Sequence, residues 1–323
     1  VGGEDSEFTP FGSALITTAA GRFRSTYARC ALFGPSQTPN ASWWRNTLPF
    51  TATNFWFSSR QLLTTSAANA NSTNSLLVRF LDVSAITRIR LRCSNTTYPW
   101  TFIVEKLDSA GAATQLGSSF QLPISVVSPD KVDIHINYAV AGSIDIYYNI
   151  VSLYSYTGDV TTNGVTSLSY VEMFPCVVPS TTLGLCFSEI IVADTDTRSW
   201  NLQTLPPVAN GNTHDFDVGT PAASNVNEIT LSDATLDGST TNGFIDQYTI
   251  PAIAAGTYTI TAIVVSARLQ KGASGPAKMD LGVRVGATDY WSTDFALTTA
   301  WTDYQYVWTT DPSTAVTWTA LPA

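Results

Sequence analysis

The residues able to do chemistry are few. The chain has 323 residues and only two histidines, His135 and His214, so a Ser/His/Asp triad must be built on one of them. His135 stands on the polar side of an alternating strand, where a histidine is ordinarily solvated or paired across the sheet, and His214 sits in a connecting stretch. No GxSxG elbow, HExxH pair or Gly-rich phosphate loop occurs. Glycoside hydrolysis needs only two carboxylates, but sandwich hydrolases often carry both on one strand at spacings like ExDxxE, and no such run is present. The nearest acidic cluster is Glu189, Asp194 and Asp196 within SEIIVADTDTR. Asp194, Asp196 and Arg198 fit a calcium loop or an anchored turn; without a DxDxDG continuation the turn is the better reading. The cysteines, Cys30, Cys93, Cys176 and Cys186, lack CxxC spacing, which disfavours zinc. Cys176 and Cys186 flank a turn-rich segment and could meet across a hairpin; the alternative is four buried thiols in a reducing cytoplasm. No catalytic residue, metal site or cofactor is expected, and the chain reads as a non-enzyme.

Binding chemistry has two candidates. The segment TRIRLRC places Arg88, Arg90 and Arg92 on one side of a strand, opposite Ile89, Leu91 and Cys93. Three guanidinium groups in a row could grip an acidic glycan, a phosphate or an acidic neighbouring subunit, or could form a solvated face that blunts a sheet edge. The cluster WWRN offers Trp43 and Trp44 for stacking on a sugar, although most of the nine tryptophans of an all-β chain belong to cores and interfaces.

The elements that position these groups follow from composition. Charged residues make up 13% of the chain, about half the usual share, while 45 Thr and 32 Ser supply uncharged polar surface. Thr, Val, Ile, Tyr and Trp suit pleated sheets better than exposed helices, and 44% hydrophobic with 11% aromatic content excludes disorder. A net charge of -9 counts against binding nucleic acid through its phosphates. The charge is uneven: residues 1–207 hold 14 acids against 12 bases, and residues 208–323 hold 11 against 4. A boundary near residue 208 follows, with LPPVANGNTHD as the connector. No apolar run is long enough for a membrane span, so no membrane insertion is expected, and VGGEDSEF is not a signal peptide; because residue 1 is Val, an upstream segment is expected.

The clearest local pattern is KVDIHINYAV, AGS, IDIYYNIV. Val132, Ile134, Ile136, Tyr138 and Val140 alternate with Asp133, His135 and Asn137, and Ile144, Ile146, Tyr148 and Ile150 repeat the pattern after the turn. This predicts an antiparallel hairpin with one buried and one wet face. A second hairpin is expected from Thr257–Arg268 through KGASGP to KMDLGVRV, with Met279, Leu281, Val283 and Val285 inward. WTDYQYVW, with aromatics on both sides, is expected beneath a second sheet or at a subunit contact. Strands are further expected at TRIRLRC, WTFIVEKL, SLSYVEMF and SEIIVAD, and at most one short helix within SALITTAAGRFRSTYARCALF. The fold class is all-β: two tandem antiparallel β-sandwich (jelly-roll) domains, 1–207 and 208–323.

Three segments also resemble a known group. FSEIIVADTDTRSWNLQTLPPVANGN, Phe187 to Asn212, resembles a segment of tailed-bacteriophage structural proteins that follows a concanavalin A-like sandwich. The strand pair ending IDIYYNIVSLYSYTGDV is similar to those of laminin-G and concanavalin-like domains. The run from Val264 to Ala320, with its Ser-Ala-Arg, Gly-x-x-Gly-Pro and Val-Gly-x-Thr-Asp-Tyr landmarks, resembles the C-terminal β-domain of the same phage proteins, where one more strand normally follows. The resemblance implies a virion structural protein displayed on a tailed-phage particle as capsid decoration, head fibre or tail appendage. Its implied partners are copies of itself, as a trimer, and capsid or tail proteins; host polysaccharide is the alternative partner, through a glycan-binding concanavalin-like domain.

Overall fold

The computed structural model describes residues 9–11, 14–18, 29–33, 43–63, 76–94, 100–124, 130–162, 164–174, 185–218, 222–227, 235–252 and 259–318, with backbone only for residues 9–11, 14–18, 29–33, 43–44, 49–51, 62–63 and 185–186. The chain is nearly all β and divides into two units, residues 2–203 and 204–323. Among the described residues the one helical element is a short 3-10 turn at Ala223–Asn225. Within SALITTAAGRFRSTYARCALF the described residues form two strands, β2 (Ala14–Thr18) and β3 (Arg29–Phe33), paired antiparallel; residues 19–28, where a short helix would have to fall, lie outside the described residues.

The N-terminal unit is a sandwich of two seven-stranded antiparallel sheets. Its strands in chain order are β1 (Thr9–Phe11), β2, β3, β4 (Trp43–Ala52), β5 (Asn54–Leu63), β6 (Leu76–Leu81), β7 (Thr87–Cys93), β8 (Trp100–Leu107), β9 (Ala113–Leu122), β10 (Asp130–Asn137), β11 (Gly142–Tyr148), β12 (Val151–Gly158), β13 (Leu168–Met173) and β14 (Leu185–Ala193). The first sheet runs β1-β4-β13-β6-β7-β8-β9 and the second β12-β11-β10-β5-β14-β3-β2. The chain crosses between them at Thr53, the single residue separating β4 from β5.

Period-two alternation decides which side chains meet between the sheets. From β5, Phe55 and Phe57 turn inward and meet Phe80 of β6 edge-on, with ring centroids 5.6 and 6.0 Å away. Val132, Ile134, Ile136, Ile144 and Ile146 of the second sheet complete the core with Ile89, Leu91, Phe102 and Val104 of the first. Each such side chain contributes about 1.5–3 kcal/mol on burial.

The hairpin at residues 132–148 forms as the pattern demands, with Ile134 opposite Ile146 and His135 opposite Asp145. Its ends differ from expectation. Val140 and Ile150 are exposed because they lie in the turns, not on the strands. Gly142 is obligatory at the first turn: a Cβ there would lie 2.1 Å from the Asn137 carbonyl oxygen. The other side of the hairpin is wet only in part: Asp133 is fully buried, while His135, Asn137, Asp145 and Tyr147 are half-buried.

Among its described residues the C-terminal unit forms four two-stranded antiparallel ladders: β15 (Ala209–His214) with β16 (Asp246–Thr249), β17 (Ile263–Leu269) with β22 (Thr302–Trp308), β18 (Lys278–Met279) with β21 (Phe295–Ala296), and β19 (Gly282–Val285) with β20 (Thr288–Trp291). The expected hairpin between the strand at 263–269 and KMDLGVRV is therefore corrected: β17 takes β22 as its partner, 33 residues beyond its own end. Leu281, Val283, Trp308 and Trp318 form the core here, with Tyr304 and Tyr306 packed against it. Tyr304, Tyr306 and Trp308 alternate along β22, so its rings share one side. Part of the stretch read as a connector is itself a strand, β15.

Candidate functional site

The outer side of the first sheet carries the predicted arginines, and none of the three stands alone. Arg88 is buried and gives its Nε to Asp82 Oδ2 at 2.9 Å. Burial pushes the Asp82 carboxyl upward, but hydrogen bonds from the Ile86 and Ser84 amides and Arg88 outweigh it and hold the group below the ordinary range. Arg90 and Arg92 converge on buried Glu105, Arg90 through Nε at 2.6 Å and Arg92 through Nε at 3.0 Å and a terminal nitrogen at 2.7 Å. Glu105 is likewise held low: its burial acts upward, and the hydrogen bonds from Arg92 and Arg90 exceed it.

Strand pairing extends this into a row. Arg45 of β4, Glu172 of β13, Arg79 of β6, Arg90 of β7, Glu105 of β8 and Gln115 of β9 are successive cross-strand partners. Glu172 is fully buried between Arg45, at 2.7 Å, and Arg79. Tyr170 and Phe174 lie under these guanidinium groups, 5.4 Å from Arg45 and 4.9 Å from Arg79. Trp43 and Trp44 occupy the first two positions of β4, opposite Phe11 and Pro10 of β1; their side chains lie outside the described residues.

The second sheet's outer side holds a constellation that sequence reasoning missed. Trp56 of β5 stacks on His135 of β10 at 4.7 Å and on Tyr147 of β11 at 5.7 Å. The Arg198 guanidinium caps both, 4.5 Å from the Tyr147 ring and 5.3 Å from Trp56. His135 is fixed at both nitrogens, with Nδ1 3.2 Å from Asp145 Oδ2 and Nε2 2.8 Å from Asn54 Oδ1, and Ser155 donates to the other Asp145 oxygen at 2.6 Å.

Residues 194–201 fold over this side, held by three buried groups. Lys131 Nζ donates to the carbonyls of Thr197, Arg198 and Trp200 and lies 3.2 Å from Asp133; burial pushes its pKa down, and Asp133 opposes this. Thr197 donates to Asp133 at 2.9 Å. Arg60 binds Glu189 at 2.7 Å and Asn201 at 2.8 Å. A β-bulge in β14, with Glu189 at φ +50, aims that carboxylate at Arg60. Asp196 and Arg198 form a two-pronged pair in the turn, with the Arg198 terminal nitrogen 2.6 Å and its Nε 3.0 Å from the carboxylate; that hydrogen bonding holds Asp196 below its ordinary pKa. Asp194 lies in the same turn, exposed.

In the C-terminal unit, His214 Nδ1 contacts the buried carboxylate of Asp246, whose other oxygen accepts from Tyr248. Tyr248 also reaches Asp237 at 2.6 Å, and burial, reinforced by the two carboxylates, raises its pKa far above the ordinary phenol range. Asn210 Nδ2 lies 3.1 Å from the other His214 ring nitrogen.

The arrangement defines an antiparallel β-sandwich of jelly-roll type with two differently charged outer sides. No family model and no curated protein sequence matches the chain. Among solved structures it is similar to an endo-β-1,4-glucuronan lyase from the fungus Trichoderma reesei, at 9% identity and TM-score 0.44 over 57% of this chain and 88% of that one. It is also similar to the globular domain of T. cruzi calreticulin, at 10% and 0.40 over 59% and 85%, and to an alginate lyase from Alteromonas sp. 272, at 8% and 0.32 over 58% and 93%. None of the three is a virion protein. Two are enzymes, and the expectation of a non-enzyme is corrected on that finding. The physical reason is that a missing carboxylate pair or triad bears on hydrolysis only; elimination needs a base and a cation, which neither motif describes.

Proposed function

We propose that the N-terminal unit is a glycan-binding jelly roll whose site is the outer side of the second sheet. The observation that carries this is the cluster of Trp56, His135 and Tyr147 capped by Arg198 and edged by Asn54, Asp145 and Ser155. Rings beside directional donors and acceptors suit a sugar, which has apolar C–H faces and a rim of hydroxyls. Asp145, Asp194 and Asp196 outnumber the one exposed cation, Arg198, so the site favours an uncharged glycan.

The test is an array of neutral and acidic glycans probed with the full chain and with Tyr147→Ala. Binding to neutral glycans that the variant loses supports the site; equal binding by both proteins, or none, overturns it. Product analysis of the same mixtures separates two outcomes: unchanged chain length assigns the face to binding alone, and new unsaturated ends assign it to an eliminase.

The setting proposed with it is the surface of a tailed-phage particle, with copies of the chain and a neighbouring capsid or tail protein as partners. Support comes from the landmarks between Phe187 and Asn212 and between Val264 and Ala320. Antibodies against the chain are expected to label purified particles, and unlabelled particles overturn the setting.

A further inference from the structure

The row across the first sheet is unbalanced, and the imbalance has a position. Each of its two acids lies between arginines, Glu172 between Arg45 and Arg79, and Glu105 between Arg90 and Arg92. In these ion pairs among the described residues, four guanidinium groups share two carboxylates. Arg79 and Arg90, moreover, are direct cross-strand partners on neighbouring β6 and β7. Like charges in that relation repel, and each arginine turns toward its own glutamate on the far side. Their side chains keep 23% and 25% exposure, enough for a ligand to reach them.

We infer that this face is a second binding site, which takes an acidic polysaccharide carrying one carboxylate or sulfate per sugar, with an anionic group seated over the Arg79–Arg90 pair. A guanidinium can bind an oxyanion with parallel N–H bonds while keeping its existing partner, because it has five donors. The row runs across the strands, whose spacing is about 4.8 Å, so a linear chain lying along it meets the adjacent Arg79 and Arg90, with Arg45 two strands beyond Arg79. Half-exposed Tyr170 under Arg45 offers a ring to a sugar's apolar side, a feature that a peptide carboxylate would not use. Sparse charge also matters. A duplex nucleic acid, with one charge per roughly 1.7 Å, would be repelled by a chain of net charge -9 far more than a polymer charged once per sugar. The inference does not depend on the second-sheet site, which is edged by acids and favours uncharged glycans.

The test is affinity electrophoresis of the full chain through gels containing polygalacturonate, with neutral dextran as control. Retardation by polygalacturonate alone is expected, falling by about tenfold or more in affinity between about 0.05 and 0.5 M salt. Arg90→Gln is the variant of choice, because Arg92 keeps two bonds to Glu105 when Arg90 is gone. It should weaken polygalacturonate binding at least about tenfold while leaving the melting temperature near wild type and neutral-glycan binding unchanged. If Arg90→Gln fails to fold, Arg90→Lys replaces it and should bind more weakly than wild type through loss of the planar fork. Absence of retardation at low salt overturns the inference, as does binding that a folded Arg90 variant retains in full. A DNA duplex retarded as strongly as the glycan overturns it in favour of a general polyanion surface. Self-association that salt and Arg90→Gln both abolish, without polygalacturonate binding, overturns it in favour of the acidic C-terminal unit of a second copy.

Discussion

The two outer sides of the sandwich spend charge differently. On the first sheet the ionic groups belong to the strands themselves, and register alone aligns Arg45, Glu172, Arg79, Arg90 and Glu105. On the second sheet the buried ions bind a segment from outside the ladder: Lys131 holds three carbonyls of residues 197–200, and Arg60 holds Asn201. The first arrangement stiffens a surface that already exists. The second builds a surface, because Arg198 reaches Trp56 and Tyr147 only when the turn is tied down. Removing a shared buried carboxylate from the first should therefore cost stability throughout the unit, and disturbing the second should cost local order and binding.

Glu172→Ala tests that contrast at its largest. It leaves Arg45 and Arg79 without their shared counter-ion on β13, and loss of one partner from a buried ion pair typically costs about 3–5 kcal/mol. Denaturant unfolding is expected to show that loss, with hydrogen exchange accelerated across both sheets. Lys131→Met should fall at the low end of that range, about 3 kcal/mol, since methionine refills the volume and Asp133 retains Thr197. Here exchange and proteolysis should rise at residues 194–201 while the first sheet stays protected. A global loss of protection in Lys131→Met would erase the distinction between the two faces.

Acid sharpens the comparison further. Glu105 and Asp82 have folded pKa values below their unfolded ones, so their contribution is fully present above the unfolded carboxylate pKa and is lost as pH falls through the depressed values. Stability should decline as pH drops below about 4.5, the unfolded Glu value. Glu105→Gln should flatten that decline, an effect smaller than either substitution above. Asp196 is depressed too, but its pair with Arg198 is exposed, so Asp196→Asn should leave the acid limb nearly unchanged. An equal flattening by both variants, read by unfolding at a series of pH values, would deny the first sheet its special dependence on buried ions.

What could be read in advance follows from which interactions are local. Alternation in KVDIHIN and GSIDIYY placed Ile134, Ile146 and His135 correctly, because a strand's two sides are fixed by neighbouring residues. Arg88, Arg90 and Arg92 were legible as one side of a strand for the same reason. Their surroundings were not. Glu172 reaches Arg45 across 127 positions and Arg60 reaches Glu189 across 129, and only the strand order 13-6-7-8 brings the row together. The same non-locality misassigned β17: its nearest apolar neighbour in sequence was KMDLGVRV, yet the partner is β22. One signal for the second-sheet site was available. In FWF, Trp56 stands between two core phenylalanines, so an apolar ring had to occupy the outer side of a strand, which implies a cover or a ligand.

The smallest effect on stability should come from Arg198→Ala, and it separates building a surface from holding a fold. The Arg198 side chain is 38% exposed and that of its partner Asp196 45%, and an ion pair so placed contributes at most about 1 kcal/mol. The guanidinium also lies over Tyr147 and Trp56, which at an exposed site adds about 0.5–1 kcal/mol. The turn itself does not depend on the side chain, since Lys131 binds the Arg198 carbonyl, which alanine keeps. Unfolding free energy is therefore expected to fall by no more than about 2 kcal/mol, while neutral-glycan affinity falls about tenfold through loss of a directional donor over the aromatic pair. Polygalacturonate binding on the first sheet should not change. If Arg198→Ala instead lowered stability as much as Lys131→Met, the guanidinium would be a structural clamp on the turn, and the second sheet would have to be read like the first.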